Sequence, residues 1–160
     1  MKIFFTAAFF LYLTVSIAAA AEKSVMGWVE HILVMPGSVP MKAKLDTGAK
    51  TSSIRARIIK EFEKDNEKWI KFSLQGPDDK KVKLERKIER WVRIKRKKRG
   101  FIRRPVVKLA FCVDNKLIHE EVNLSRRSGF VYPVLIGRNM LDSHVIVDAS
   151  KIYTHQPNCE

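Results

Sequence analysis

The chain contains 160 residues, 46% of them hydrophobic, which is enough for one domain with a buried core and excludes a wholly disordered protein. Lysine and arginine outnumber aspartate and glutamate by 31 to 17, so the formal net charge is +14 at neutral pH. This charge favours acidic partners, but it does not distinguish nucleic acid, anionic lipid, an anionic polymer and an acidic peptide.

The first element in chain order is an N-terminal secretion signal. Lys2 precedes an uncharged run over residues 3–21 that is apolar and ends in four alanines. A basic start, an apolar stretch and small residues are typical of a signal peptide, here cleaved after Ala20 or the alanine that follows. We therefore predict a signal peptide over 1–20, one domain over 21–160, and a periplasmic or secreted protein. An uncleaved membrane anchor is the alternative.

Alternation of apolar and polar residues predicts β-strands through the rest of the chain. The clearest case is a hairpin, in which strand 70–75 leads through the Gly-Pro-Asp-Asp turn at 76–79 into strand 82–85. Only two short helices are predicted, over 54–63 and 138–143. This distribution indicates an all-β domain, either a barrel or a sandwich, with little helix. The further predicted strands are 27–33, 41–45, 88–94, 105–113, 117–124 and 145–147.

The most basic stretch of the sequence is 86–104, which includes Lys97 and Lys98. One interpretation is a solvated hairpin whose charges keep an exposed strand edge from pairing with other chains. The other is a surface for an acidic substrate, with Lys97 and Lys98 as candidate contacts. Trp91 and Phe101 flank the run, as on surfaces where bases stack, but an exported protein is not expected to meet nucleic acid.

The two cysteines, Cys112 and Cys159, would be able to pair in an oxidising compartment. The sequence favours unpaired cysteines, because Cys112 falls in an apolar strand and Cys159 is the penultimate residue of a tail expected to be mobile. A disulfide is the less favoured alternative.

Two segments carry residue types that a catalytic site needs. In the first, an apolar strand runs directly into Asp46-Thr47-Gly48, which presents a carboxylate at a strand end followed by a tight turn. In the second, Gly137 follows an apolar pair and allows a strand to pass close to the loop with the carboxylate. Asp-Thr-Gly alone is also a common strand-ending turn, so the informative feature is that both segments occur.

The two segments, DTGA at 46–49 and LIGRNML at 135–141, resemble the signatures of retropepsin-like aspartic proteases, in the same order. Further stretches are similar to the bacterial branch of that family that is often labelled ATP-dependent zinc protease. The resemblance implies a closed retropepsin-like barrel and an aspartic-type endopeptidase. It covers roughly residues 27–151, with the branch-specific stretches at 50–54, 104–107, 126–129 and 147–148.

The resemblance implies that Asp46 is the catalytic residue and that Thr47, Gly48, Ala49 and Gly137 support its loop. Aspartic proteases hold one water between two carboxylates, and the pair shares a proton because both do not ionise easily at short distance. The chain contains Asp-Thr-Gly once. The resemblance therefore implies a homodimer, in which a second copy supplies the other carboxylate.

Two features depart from the retroviral pattern. An acidic residue follows DTGA in the retroviral enzymes and pairs with the arginine of the second segment, whereas Lys50 follows it here. Arg138 is therefore a candidate for a structural ion pair with Asp148 or another carboxylate. A glycine-rich flap is not obvious, and the turn at 75–80 is preferred over the region of Gly100.

The sequence lacks the motifs that a zinc site or an ATP site would need. The sequence has no H-E-x-x-H, its four histidines lack close metal-ligand spacing, and the phosphate-binding G-x-x-x-x-G-K-[ST] is missing. We predict no metal and no cofactor. G-x-S-x-G is also absent, which argues against a serine hydrolase.

The expected function is that of an exported aspartic endopeptidase that hydrolyses peptide or protein substrates as a homodimer. The alternative is a non-catalytic basic binding module of the same fold that binds acidic peptides or polyanions. A third hypothesis is cleavage of acidic or glutamate-rich chains, because cytoplasmic relatives of this branch occur beside glutamate ligases. We expect no nucleic-acid partner and no membrane association beyond the signal.

Overall fold

The computed structural model describes residues 22–95, 100–127 and 129–159. The predicted signal peptide at 1–20 and the candidate contacts Lys97 and Lys98 lie outside these ranges. Export and a substrate contact at these two lysines therefore stay predictions. Among the described residues, no helix has the length and apolar character needed to span a membrane.

Strands account for most of the described residues, with one α-helix and one 3-10 turn at Pro77–Asp79. In chain order the elements are β1 (Ser24–Gly27), β2 (Val29–Met35), β3 (Val39–Leu45), β4 (Ser52–Arg55), β5 (Arg57–Lys64), β6 (Glu67–Gln75), β7 (Lys81–Lys87), β8 (Arg90–Lys95), β9 (Phe101–Val113), β10 (Lys116–Ser125), β11 (Val134–Ile136), α1 (Arg138–Leu141) and β12 (Val145–Asp148).

Six strands close into a barrel. Strands β10, β4, β11, β3, β2 and β9 pair in that order, and the pairing of β9 with β10 closes the ring. Closure leaves none of these six strands with a long unpaired edge. The expected all-β closed barrel with little helix is confirmed.

Alternating side chains fill the barrel, as the sequence pattern predicts. In β3, Val39, Met41, Ala43 and Leu45 are buried, while Lys42 between them is exposed. Successive side chains of a strand point to opposite faces, so one face of β3 lies in the core and the other meets solvent. The register of β3 is thereby fixed, and with it the position at which the strand ends.

Two smaller sheets flank the barrel. Strands β5, β6 and β7 form an antiparallel sheet, and β1 pairs in parallel with β12. The hairpin predicted over 70–85 is confirmed, because β6 pairs with β7 from Trp69 opposite Lys87 to Gln75 opposite Lys81. Its apolar face packs on the barrel core through Ile70, Phe72 and Leu74, each fully buried.

The helix predicted over 54–63 is wrong, because this segment forms β4 and β5. Ile54 is buried in the barrel, where β4 pairs with both β10 and β11, and β5 pairs with β6. These partners are distant in sequence, so pairing overrode a weak local helical pattern. The second predicted helix is confirmed as α1.

The expectation of unpaired cysteines is also wrong, because Cys112 and Cys159 form a disulfide. The C-terminal tail is not free at this point. Asn158 donates its backbone N–H to the carbonyl of Asp114 (2.8 Å), and Tyr153 donates to the carbonyl of Val29 (2.8 Å). The tail therefore follows the barrel wall and brings Cys159 to the buried Cys112.

A buried carboxylate holds the middle of the same tail. Glu30 is fully buried, and its Oε1 accepts hydrogen bonds from the N–H of Gly27 (2.6 Å) and from the N–H (3.1 Å) and hydroxyl (2.5 Å) of Thr154. A buried carboxylate is tolerated when several donors satisfy it. Glu30 thus fastens the tail to the end of β1.

Replacing both cysteines by serine is expected to lower the free energy of unfolding by about 2–4 kcal/mol, because the disulfide closes a long loop in the unfolded chain. The bridged residues are 47 positions apart. Urea unfolding of the oxidised protein, the reduced protein and the Cys112→Ser/Cys159→Ser variant measures the effect. Equal midpoints for all three would contradict a stabilising role of the disulfide.

Candidate active site

Asp46 lies at the end of β3, directly beside the second motif segment. Strand β11 runs parallel to β3, with Val134 opposite Ala43 and Ile136 opposite Leu45. The N–H of Asp46 continues this ladder by donating to the carbonyl of Ile136 at 2.8 Å. The sheet thus brings together the two segments that the sequence singled out.

The Asp-Thr-Gly turn presents the Asp46 side chain at the surface of a cleft. The N–H of Gly48 donates to its Oδ1 at 3.0 Å, and the ammonium of Lys44 lies 3.7 Å from its Oδ2. The Asp46 side chain is 26% exposed. Both contacts orient the carboxylate, although an ion pair at the partly exposed Lys44 contributes little. Asp46 is therefore positioned by its own turn while it stays accessible.

Gly137 allows the two loops to touch. A Cβ atom at this position would lie 2.9 Å from both the carbonyl oxygen of Ala49 and the carbonyl carbon of Thr51. Atoms do not approach that closely without a shift of the backbone. The contact continues as Arg138 and Asn139 donate their N–H groups to the carbonyls of Ala49 (2.8 Å) and Lys50 (3.1 Å).

The side chain of Arg138 binds the backbone of the Asp-Thr-Gly turn. Its Nη1 donates to the carbonyl oxygens of Thr47 (2.8 Å) and Gly48 (3.1 Å). In the described part of one chain no carboxylate lies within ion-pair distance of this guanidinium. Asp148 instead binds Ser150 and Lys151, whose hydrogen bonds lower the pKa of Asp148 to about 2. Sequence reasoning missed the carbonyl acceptors because every residue has one.

Ser52 and Asn139 join the two loops to the barrel, and sequence reasoning assigned no role to either side chain. The N–H and the hydroxyl of Ser52 both donate to Oδ1 of Asn139 at 3.0 Å, and the N–H of Gly137 donates to the Ser52 hydroxyl at 3.0 Å. Asn123 donates through its side chain to the carbonyl of Ser52 at 2.7 Å. Buried polar groups that satisfy one another make a rigid base for the Asp-Thr-Gly turn.

The Asp46 side chain opens into a cleft of about 370 Å³. Asp46 is the sole carboxylate among the described residues that line it. The segment 129–132 forms one wall, in which Phe130 and Val131 are exposed and Tyr132 packs edge-on against Trp28. Neither flap candidate, the 75–80 turn or Gly100, lines this cleft. Its described lining is Trp28, Lys44, Asp46, Arg127, Gly129, Phe130, Val131, Tyr132 and Leu135.

Arg127 is a buried cation in the same cleft. It falls in the branch-specific stretch 126–129, but the sequence analysis assigned it no role. It is 8% exposed, and burial lowers its pKa, as do the charges of Arg104 and Arg55, while Asp46 raises it. Its Nε donates to the carbonyl of Tyr132 at 3.0 Å and its Nη1 to the hydroxyl of Ser53 at 2.6 Å. These bonds tie the cleft wall to β4.

A larger basic groove adjoins the cleft. It has a volume of about 1260 Å³ and its lining contains five cationic side chains and no carboxylate among the described residues. Arg55 connects the two hollows, because it lines the groove and donates to the carbonyl of Phe130 at 2.8 Å in the cleft wall. The described lining is Arg55, Ala56, Arg57, Ile58, Ile59, Ser73, Gln75, Lys81, Lys83 and Arg126.

Metal-ligating side chains are dispersed over the part of the chain that the structure describes. No three residues of the types His, Cys, Asp and Glu come together there in a group that could hold an ion. The prediction of a metal-free and cofactor-free site stays a prediction.

Replacing Gly137 by alanine is expected to lower the free energy of unfolding by about 1–3 kcal/mol, because the new methyl group meets backbone atoms of the loop that follows Asp46. Urea unfolding measures the cost. Gly100→Ala is the matched control, since Gly100 has a positive φ but no atom of a described residue within 4 Å of the place that a methyl group would take. A Gly137→Ala cost no larger than that of the control would contradict the close-contact argument.

Comparison with known proteins gives one family match and several relatives. The family model described as RimB-like, retropepsin-like aspartic endopeptidase RimB, matches residues 25–158. A solved structure from Legionella pneumophila, a protein of unknown function, is 31% identical with a TM-score of 0.74. The similarity covers 84% of this chain and 100% of that one.

The curated relatives carry a different name. A protein of Shewanella pealeana, named probable alpha-L-glutamate ligase, is 28% identical over 136 residues, which are 82% of this chain and 30% of that protein. A Desulfotalea psychrophila protein of the same name is 30% identical over 130 residues, 79% of this chain and 28% of its own length. The chain thus matches less than a third of the length of these relatives.

Proposed function

The chain belongs to the RimB-like family of retropepsin-like aspartic endopeptidases, and from this premise we propose that it is an exported endopeptidase that hydrolyses peptide bonds as a homodimer. The observation that carries the proposal is Asp46, held at a cleft by its own turn and by the second motif segment. Asp46 and its symmetry mate are the proposed catalytic pair.

The proposed chemistry uses one water and two carboxylates. The ionised carboxylate takes a proton from the water, which attacks the carbonyl carbon of the scissile bond, while the protonated carboxyl donates toward the carbonyl oxygen. The resulting tetrahedral intermediate then collapses with a proton delivered to the leaving nitrogen. The roles of Thr47, Gly48, Ala49 and Gly137 are to fix the loop that aims Asp46.

Asp46 is the sole carboxylate among the described residues that line its cleft. The proposed mechanism needs two carboxylates, so the second would come from another copy of the chain. Thr47 and Gly48 are exposed at the molecular surface, and the exposed side chain of Arg138 donates to both of their carbonyl oxygens. A rigid, exposed turn with the catalytic residue at its base supports an isologous interface in which two such turns meet.

Export is supported by the disulfide between Cys112 and Cys159, since such bonds persist in oxidising compartments. The ligase name of the curated relatives belongs to proteins of which the match covers 30% or less. We therefore assign no ligase activity to this chain.

A more specific candidate is the cleavage of acidic or glutamate-rich peptides, which the basic groove favours. Arg55, Arg57, Lys81, Lys83 and Arg126 line it without a compensating carboxylate among the described residues. An acidic segment of a substrate beyond the scissile bond would neutralise these charges. Lys97 and Lys98 stay candidate contacts for the same substrate.

The groove also supports the alternative of a basic binding module without catalysis. That module would bind acidic peptides or polyanions with strong salt dependence, and it would leave bound peptides intact. Product analysis after long incubation of concentrated protein with an acidic peptide separates the two functions.

Asp46→Asn is expected to abolish peptide hydrolysis, because the amide neither accepts the proton of the water nor shares one with its mate. The measurement is mass-spectrometric detection of products from a diverse peptide library, with wild-type protein and a chelator as controls. Unchanged hydrolysis by a folded Asp46→Asn protein would exclude the aspartic mechanism. Loss of hydrolysis on chelation alone would indicate a metal enzyme.

Reversal of two groove charges, Arg57→Glu with Lys83→Glu, is expected to raise KM for acidic peptides about tenfold with little change for neutral ones, since two attractions become repulsions. Lys108→Glu combined with Lys42→Glu is the control, because neither residue lines the groove. Steady-state kinetics at low and high salt measure the effect. Equal KM values in all three proteins would remove the groove from substrate binding.

A further inference from the structure

The flanking sheet of β5, β6 and β7 has one face that does not pack on the barrel. Ile70, Phe72 and Leu74 of β6 point into the core, so the residues between them point away from it. Residues directly opposite each other in neighbouring strands share a face, which places the matching residues of β5 and β7 on the same outward side. We call this side the outer face of the sheet.

The outer face is strongly cationic. Within the three strands it carries seven lysine and arginine side chains and two glutamates. Both glutamates are paired, Glu85 with Lys71 at 2.8 Å and Glu67 with Lys87. The remaining cations are exposed and form no ion pair with a described carboxylate; they are Arg57, Lys60, Lys64, Lys81 and Lys83.

One further acid lies at a corner of this face. Asp79, beyond the end of β6, accepts a hydrogen bond from the side chain of Gln75 at 2.8 Å. Seven cations against two glutamates and Asp79 leave a net charge of +4. The chain itself therefore does not neutralise the outer face, and an anionic partner would.

Aromatic rings lie under the lysines at one end of the face. The half-exposed rings of Phe62 and Trp69 are 6.5 Å apart, and the ammonium groups of Lys60 and Lys64 lie 5.3 and 5.1 Å from their respective centres. The pKa of Glu85 lies below its ordinary value, chiefly because Lys71 donates a hydrogen bond to it and further because of the charges of Lys60 and Lys64. These lysines therefore act on the same face as the Lys71–Glu85 pair.

The cations are distributed over an area and do not converge on a pocket. Arg57 and Lys64 are the two ends of β5, about 23 Å apart along the strand, and three strands span about 10 Å across. A small anion would contact few of these cations, and a linear polyanion would follow one line across them. A bilayer with anionic headgroups contacts the whole area at once, and aromatic rings beside lysines suit its interface.

The sequence gives a separate reason to consider a membrane. The apolar run over 3–21 predicts that the chain is exported across a membrane, so the domain would emerge at a bilayer surface. Only the charged, folded part of the chain would then remain to hold it there.

We propose that the outer face of the β5–β6–β7 sheet is a docking surface for a membrane with anionic lipid headgroups. The inference does not rest on the proposed endopeptidase function. It differs from the sequence-based expectation of no membrane association beyond the signal, because alternate residues of three strands come together only in the folded sheet. The basic groove occupies one end of this face, so a bound acidic peptide would share Arg57, Lys81 and Lys83 with the bilayer, but not Lys60 or Lys64.

The experiment measures sedimentation of the mature protein, residues 21–160, with lipid vesicles. The vesicles consist of phosphatidylcholine alone or of phosphatidylcholine with about 30% phosphatidylglycerol. Wild-type protein is expected to bind the anionic vesicles at about 0.1 M salt, and at least tenfold more weakly to neutral vesicles or at about 0.5 M salt.

Lys60→Glu combined with Lys64→Glu is expected to lower the partition coefficient for anionic vesicles about tenfold or more, since two attractions become repulsions. Lys42→Glu combined with Lys108→Glu is the matched control, because it changes the net charge equally on barrel strands outside this face. The control should lower the partition coefficient less than threefold. Phe62→Ser, which leaves the charge unchanged, should lower it about threefold.

Thermal unfolding of each variant verifies folding. If the double glutamate variant unfolds, Lys60→Gln combined with Lys64→Gln gives the same readout with half the change in charge. Asp46→Asn is expected to bind vesicles like the wild-type protein, so a failure of the proposed catalysis and a failure of membrane docking are distinguishable.

Three outcomes would overturn the proposal. The first is no binding of wild-type protein to anionic vesicles at low salt. The second is an equal loss in the two charge-reversal variants, which would assign binding to total charge. The third is binding of a poly-glutamate peptide that requires Lys60 and Lys64 while vesicles stay unbound, which would assign the face to an acidic chain.

Discussion

The Asp-Thr-Gly turn keeps its shape because Gly137 passes against the backbone of residues 49–51 with no room for a side chain. This contact lets the N–H groups of Arg138 and Asn139 reach the carbonyls of Ala49 and Lys50, and it lets the Arg138 guanidinium reach those of Thr47 and Gly48. Ser52 and Asn139 connect both loops to the barrel. The position of Asp46 thus follows from barrel closure and one glycine.

In the proposed mechanism, a single chain supplies only half of the catalytic pair. The described cleft contains one carboxylate beside two cations, and the turn that carries it is exposed. In the proposed homodimer a second chain would add the missing acid, while Arg138 and Asn139 hold the turn and the residues after it through backbone carbonyls. Both the proposed catalysis and the proposed binding of acidic substrates therefore depend on the same feature, a single carboxylate that lies among cationic side chains beside the basic groove.

Period-two burial was sufficient to predict an all-β domain and the 70–85 hairpin, while the closed barrel and the meeting of the two motif segments were predicted from the family resemblance of short motifs. The sequence-based predictions were wrong where the local structure depends on residues that are distant in sequence. Ile54 lies in a strand because β10 and β11 pair with it, and Cys159 meets Cys112 because Glu30 holds the tail at Thr154. Arg127 was missed because a buried guanidinium has the same sequence signature as an exposed one.

The central claim, that two chains complete one site, is tested most directly by subunit mixing. Wild-type and Asp46→Asn chains are refolded together at varied ratios and constant total concentration, and peptide hydrolysis is measured. If every active site needs an Asp46 from each chain, activity falls with the square of the wild-type fraction, to about one quarter in an equal mixture. A linear fall, to about one half, would show that one chain is sufficient and would contradict the account.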